Sequence, residues 1–311
     1  RQVGSTFKPF VYAAAIDQLR MSPCDRLPDV PYCVSAGKHG NIEAWCPKNS
    51  GGKYSGESIT LKHALANSIN TVTAQLIDRV GPASVVSVAE RLGIESRIPA
   101  VPAIALGTPD IKVFDLVSAY STFANQGVHT TPTFVTRIED ESGNVIYDAI
   151  PETRDVFNKE IAYTMISLLK GVTEAGSGVR LRHNWMIDNP VYQEVVTGYP
   201  YEFKNPIAGK TGTTQNQSDG WFMGMVPNLA TGVWVGAEDR AVHFDNITYG
   251  QGATMALPVW ANYMRESYND SIGVSSEDFI RPDQISINLL CNEANQVIRE
   301  EKSEDLEEFD F

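Results

Sequence analysis

The residue period changes two-thirds of the way along this chain, and that change limits the fold more than any other feature. Residues 207–214, 220–226 and 231–237 read as strands, with Pro227-Asn228 marking a tight turn between the second and third. Most of what precedes them reads as helix. Residues 9–20 form an Ala-rich helix. Thr60 caps an amphipathic run through Leu61, Leu65, Ile69, Val72, Leu76 and Val80 that stops at Gly81. A further helix follows Pro82 and ends near Gly93. Thr108-Pro109 opens another through Phe114, Leu116, Ala119 and Phe123, closed by Gly127. Phe134 to Tyr147 alternates around Ser142-Gly143-Asn144, a hairpin signal. Asn158 caps a helix through Ile161, Met165, Ile166 and Leu169, and one from Leu257 to Tyr268 closes the fold. Residues 22–58 are an irregular, Gly/Pro-punctuated insert. Helices first and an antiparallel meander last predict an α+β fold, a central antiparallel sheet flanked by helices.

The 311 residues, 42% of them hydrophobic, suffice for a large core. A formal charge of −13 argues against nucleic acid and against docking on anionic lipid by charge alone. Part of that acidity is local: Arg299 to Phe311 holds seven carboxylates against two basic side chains, which reads as a solvated, disordered tail, with a docking tail for a partner as the alternative. No window reaches the roughly 18 apolar residues of a membrane span, and there is no signal peptide. The chain opens at Arg1 rather than Met, so it is expected to be a fragment or a processed product. Cys24, Cys33, Cys46 and Cys291 match no metal-site template. Cys33 and Cys46 could staple a loop in an oxidising compartment, with free thiols as the alternative.

Three short motifs carry the chemistry. Ser5 and Lys8, three apart at the start of a helix, share one face. A serine hydroxyl is a poor nucleophile until a base takes its proton. Lysine serves as that base once desolvation or a nearby cation, here Lys210, lowers its pKa. Pro9 suits the first turn, where N–H groups lack partners anyway. Ser68 and Asn70 interrupt the amphipathic run with small polar side chains, which fits a break presenting them to a cleft. Lys210-Thr211-Gly212-Thr213 lies on the first strand of the meander. There Lys210 and Gly212 face one way and Thr211 and Thr213 the other, and Gly212 lets a ligand approach the backbone. Such an edge suits a carboxylate-bearing peptide that adds as an extra strand. A phosphate loop is excluded, because the glycine it needs five residues before Gly209 is Lys204. His39, His63, His129, His183 and His243 show no triad or metal spacing.

At these residues the chain resembles the transpeptidase domain of class A, bifunctional penicillin-binding proteins. The likeness extends over Arg1 to Phe10, over Ala208 to Gly224, over Val233-Trp234-Val235-Gly236 and over Gly250-Gln251-Gly252-Ala253. It covers most of residues 1–268 and is weakest in 22–58 and 176–204.

The resemblance implies a peptidoglycan DD-transpeptidase that needs no cofactor or metal. Ser5 would attack the carbonyl between the two terminal D-alanines of a stem peptide, and Lys8 would take its proton. Ser68, with Asn70 and Lys210 nearby, would pass a proton to the leaving amine. The backbone N–H groups of Ser5 and Thr213 would form the oxyanion hole, and Lys210, Thr211 and Thr213 would hold the terminal carboxylate. β-Lactams would acylate Ser5. The transpeptidase domain is expected over 1–275, with an extension over 276–311. Strands preceding the Ser5 helix, a glycosyltransferase domain and a membrane anchor at the extracytoplasmic face of the inner membrane would belong to an upstream part of the protein. The sheet is therefore expected to be incomplete in this chain, with open edges. The rivals are a serine β-lactamase, which needs an acid near position 104 where the chain reads Val101-Pro102-Ala103-Ile104-Ala105-Leu106, and a non-catalytic β-lactam sensor or scaffold.

Overall fold

The computed structural model describes residues 1–183, 185–186, 188–269 and 272–291. After a 3₁₀ turn over Gly4–Phe7, helix α1 (Lys8–Leu19) runs through the middle of the core. Phe10 to Ile16 are all fully buried. A helix buried on every side has no polar face to spare, and its run of alanines lets neighbouring helices approach closely. Those neighbours are α3 (Asn70–Val80), α4 (Pro82–Arg91) and α6 (Lys159–Ala175). Helix α2 (Leu61–Ala66) is capped by the Thr60 side chain, which accepts from His63 N–H, and Asn158 caps α6 in the same way.

The sheet that carries the third motif has three antiparallel strands, β7 (Ala208–Thr213), β8 (Asp219–Val226) and β9 (Leu229–Gly236), in that order. Strand β8 is buried along its whole length, so its residues are apolar or glycine on both faces apart from Asp219. Among the described residues β9 pairs only with β8, leaving its outer edge without a strand partner. Three small two-stranded pairs lie outside this sheet. They join β1 (Arg26–Pro28) to β2 (Ser58–Thr60), β3 (Val128–Thr130) to β6 (Thr153–Asp155), and β4 (Arg137–Glu139) to β5 (Val145–Asp148). Short helices α7 (Pro190–Val195), α8 (Ile247–Gly250) and α9 (Gly252–Met255) precede α10 (Leu257–Asn269), whose Trp260 packs on Phe222 of β8. The architecture is the α+β arrangement expected from the sequence.

One element departs from expectation. Thr108-Pro109 does not open a helix; α5 begins at Val113 and runs to Ala124. Residues 108–112 are instead tied to the start of the chain. Gln2 bridges to Asp110, and Ile111 N–H donates to the Arg1 carbonyl at 3.0 Å. A pairing across more than a hundred residues overrides the local helix-start signal.

Both cysteine pairs are disulfides: Cys33 with Cys46 inside the insert, and Cys24 with Cys291. The second fastens residues 272–291 along α6, where Asp278 pairs with Lys170, Phe279 is buried and Glu160 accepts from Ser286 and Ile287. The acidic run from Arg299 lies outside the described residues.

Candidate active site

The segment holding Ser5 is fixed at every neighbouring residue. Arg1 Nε donates to the buried carboxylate of Asp219 at 3.0 Å, Trp221 Nε1 donates to the Gln2 carbonyl at 2.8 Å, and Tyr120 O–H donates to the Thr6 carbonyl at 2.6 Å. Burial pushes the Asp219 carboxyl up. Hydrogen bonds from Trp234, Arg1, Thr214 and Ser218 outweigh that and hold it below the usual carboxylate range. Gly4 adopts φ +53° and sits so close to β7 that a Cβ there would stand 2.7 Å from the Thr213 carbonyl oxygen. Only glycine fits that position, and it seats Ser5 against the strand.

Ser5 lies in the 3₁₀ turn and Lys8 is the first residue of α1. In a 3₁₀ turn residues i and i+3 eclipse, so both project to the same side. Ser5 Oγ makes no hydrogen bond among the described residues. Lys8 Nζ faces the second motif instead. It donates to the Ser68 carbonyl and to Asn70 Oδ1 at 2.6 Å, and it stands 3.1 Å from Ser68 Oγ. In free enzymes such contacts are often loose and tighten only with substrate.

The break that presents this motif is local. Helix α2 ends at Ala66 and α3 starts at Asn70. Between them Ser68 takes φ +57°, a left-handed conformation that costs a non-glycine residue about 1–3 kcal/mol. The strained backbone turns the Ser68 carbonyl and hydroxyl together toward the two lysines.

Lys210 completes the cluster from β7. Its Nζ donates to Ser68 Oγ and to the Thr211 carbonyl, both at 3.0 Å. Lys8 and Lys210 are fully buried and meet at one hydroxyl. Burial, followed by the Lys210 charge, drives Lys8 well below the ordinary lysine range, and burial lowers Lys210 to about 7. Two ammonium groups sharing one hydroxyl repel, which adds to burial in favouring loss of a proton from Lys8. A neutral amine has two N–H bonds and one lone pair. With the N–H bonds directed at the Ser68 carbonyl and Asn70 Oδ1, the lone pair would lie on the side of Ser68 Oγ, 3.1 Å away.

The strand register supplies the remaining parts. Thr214 N–H donates to the Asp219 carbonyl at 3.1 Å, so the preceding pair, Thr213 with Gly220, is a non-hydrogen-bonded one. The Thr213 N–H therefore turns away from β8, toward the side where Gly4 and Ser5 pack. Thr213 Oγ1 accepts from Gly252 N–H at 3.0 Å, leaving its own proton to donate, and Thr211 Oγ1 lies 2.5 Å from Ser177 Oγ. The structure thus brings Ser5, Lys8, Ser68, Asn70, Lys210, Thr211 and Thr213 to one place.

Sequence reasoning missed three residues that shape this site. Ser177 ties the two sides together, its hydroxyl on Thr211 and its N–H on the Ala66 carbonyl at 3.0 Å. Asp29 and Asn49, in the insert, grip the start of α3. The only available signal was the polarity of Asn49 in a stretch otherwise read as irregular.

The fold and site together define a cluster in which two buried lysines, one from a helix and one from a strand, converge on a single serine hydroxyl. The chain matches the family described as "Penicillin binding protein transpeptidase domain" over residues 1–241, and it belongs to that family. It is 33% identical over 307 residues to penicillin-binding protein 1A of Aquifex aeolicus, covering 98% of this chain and 38% of that protein. It is 33% identical over 271 residues to penicillin-binding protein 1A of Neisseria meningitidis, covering 85% and 31%. The chain therefore spans about a third of the length of these relatives. Among solved structures, penicillin-binding protein 1A from Haemophilus influenzae aligns with a TM-score of 0.72 at 25% identity, covering 88% of this chain and 43% of that one. PonA1 from Mycobacterium tuberculosis in complex with penicillin V aligns with a TM-score of 0.72 at 25% identity, covering 92% and 73%.

Proposed function

We propose that this chain is the transpeptidase part of a peptidoglycan synthase, cross-linking stem peptides through an acyl-enzyme on Ser5 and releasing the terminal D-alanine. The observation that carries the reading is the single Ser68 hydroxyl held between two fully buried lysines, one of them three residues after Ser5. In this reading Lys8 takes the Ser5 proton as the hydroxyl attacks the penultimate D-alanyl carbonyl. The N–H groups of Ser5 and Thr213 receive the oxyanion. Donors near the start of a helix favour such charge, and stabilising the oxyanion often accelerates acyl transfer more than any other single effect. Ser68, with Lys210 on its oxygen, then hands its proton to the leaving D-alanine and is reprotonated by Lys8, 3.1 Å away, while Lys210, Thr211 and Thr213 hold the carboxylate. An amine from a second stem resolves the ester. β-Lactams follow the same first half and stay attached to Ser5.

The test is to give the full protein a donor ending in D-Ala-D-Ala together with an amine acceptor. The expected result is release of one D-alanine per joined product. Acylation by penicillin with no D-alanine released from any donor would point to a β-lactam sensor instead. A β-lactamase is disfavoured by position 104: the Pro102–Leu106 turn places a fully buried Ile104 there, with no acid to activate water.

We assign the transpeptidase domain to residues 1–275 and a C-terminal extension to 276–311. We further propose that an upstream part of the protein supplies strands for the sheet, a glycosyltransferase domain and an anchor at the extracytoplasmic face of the inner membrane. No helix among the described residues is long and apolar enough to cross a membrane. The outer edge of β9, without a strand partner among the described residues, supports the proposed upstream strands, because long exposed edges invite misassociation. Residues 1–311 alone are expected to melt broadly or to aggregate in calorimetry. A sharp, reversible transition for that segment would remove the need for upstream strands.

A further inference from the structure

We propose that Asn49, held by the buried carboxylate of Asp29, is a positioning residue for acylation: it caps α3 from outside the helix and, with the adjoining Lys48 carbonyl, fixes the Asn70 amide with its oxygen toward Lys8. The inference rests on the reading of Ser5 as the nucleophile and Lys8 as its base.

The N-terminal N–H groups of a helix lack acceptors within it, and a side chain at the N-cap usually supplies one. In α3 the N-cap residue is Ile69, which has no such oxygen. Asn49, about twenty residues upstream, supplies it instead. Asn49 Oδ1 accepts from Asn70 N–H at 3.0 Å and from Thr71 N–H at 3.2 Å. Asn49 is itself buried and oriented by its other end, where Nδ2 donates to Asp29 Oδ1 at 2.7 Å and to the Lys53 carbonyl at 3.1 Å. Asp29 also accepts from Thr71 Oγ1 at 2.7 Å and from Ser55 N–H at 2.9 Å. Burial would raise the Asp29 carboxyl, but these hydrogen bonds keep it below the usual carboxylate range, so it stays an acceptor at neutral pH. The insert is thus locked onto the first turn of α3.

The chemical consequence lies one residue away. Asn70 Nδ2 donates to the Lys48 carbonyl at 2.6 Å, which aims Asn70 Oδ1 at Lys8 Nζ, 2.6 Å away. A carboxamide has an acceptor end and a donor end. In the observed orientation Asn70 accepts a Lys8 N–H and offers no donor to its lone pair. Turned over, its NH₂ would point at Lys8 and occupy the lone pair that must accept the Ser5 proton. The insert therefore selects the orientation in which Lys8 can act. Irregular chain that would otherwise pass for a surface excursion becomes part of how the base is prepared.

The test is the pH dependence of Ser5 acylation by benzylpenicillin, measured on the full protein by intact mass, for the parent, Asn49→Ala and the double exchange Asp29→Asn with Asn49→Asp. The groups packed on Lys8 are Lys210 of β7 and Ser68 and Asn70 of the α2–α3 break, so the rising limb belongs to Lys8 with Lys210 beside it. Asn49→Ala is expected to lower the plateau roughly 10- to 100-fold, the range that a small misplacement of catalytic groups produces. The limb should also move to lower pH, because Lys8 loses an acceptor that favours its protonated form. The double exchange keeps an oxygen for the α3 N–H groups and swaps donor and acceptor across the Asp29–Asn49 contact. It should recover most of the rate and return the limb toward the parent's. A parent that takes no penicillin overturns the acylation reading, and this inference with it. If the parent is acylated, an Asn49→Ala plateau within about twofold of it, or a slower variant whose limb has not moved, overturns the inference alone. Should Asn49→Ala not fold, the double exchange decides: folded and fast supports the inference, folded and slow or unfolded overturns it.

Discussion

Replacing Ser5 with alanine is expected to abolish covalent capture of β-lactams. After benzylpenicillin treatment, the intact mass of the full protein should show one retained adduct in the parent and none in Ser5→Ala. Removal of a serine nucleophile costs on the order of 10⁶ in rate, so no slow residual adduct should accumulate over a normal incubation. The other hydroxyls of the site explain why no substitute steps in. Ser68 Oγ lies between two lysines, Thr211 and Ser177 hydrogen-bond each other, and Thr213 accepts from Gly252. Ser5 Oγ has no such partner among the described residues, and it lies in the turn that packs against Thr213 through Gly4. An adduct that survives in Ser5→Ala would place the nucleophile elsewhere, with Ser68 the first to check. Loss of free drug without any adduct in the parent would indicate hydrolysis. Ile104 leaves no acid to promote that hydrolysis.

The residues that gather at the candidate site could be read from the sequence because the proposed chemistry fixes their types and spacing. Ser5 with Lys8 requires one turn, and Lys210-Thr211-Gly212-Thr213 requires one strand; both are local demands. The meander was legible for the same reason, since alternation and the Pro227-Asn228 turn are short-range signals. What stayed hidden depends on partners distant in the chain. Residues 108–112 looked like a helix start until the bridge of Gln2 with Asp110 tied them to the start of the chain. Cys24 and Cys291 are 267 residues apart, and nothing in their flanks announces the bond. Ile69 is a poor cap by its own chemistry, so the sequence around α3 gives no hint that Asn49 serves in its place. The left-handed Ser68 was foreseeable only as a break in a helical pattern, not as the turn that sets its carbonyl and hydroxyl between two amines.

The lysine pair should give acylation a bell-shaped pH profile, and replacing Lys8 with methionine should separate activity from stability. The rate rises as Lys8 loses its proton and falls as Lys210, near 7, loses the charge that steadies Ser68 and the substrate carboxylate. The two limbs belong to the pair rather than to either lysine, since both contact one hydroxyl. Lys8→Met removes the base and should slow acylation by roughly 10²- to 10⁴-fold. Its effect on folding runs the other way. Both lysines titrate lower in the folded chain than the ordinary value of 10.5, so from about 7 to 10.5 the unfolded chain binds more protons. Stability therefore rises with pH across that window. Methionine has no proton to bind and fills a similar volume, so Lys8→Met should flatten the slope and raise the melting temperature at neutral pH. Melting curves between pH 7 and 10 on parent and variant measure both effects. A variant that is slower and also less stable at pH 7 would mean that Lys8 holds the site together as a charged anchor. A slower but more stable one identifies a buried amine kept, at a cost to folding, for its lone pair.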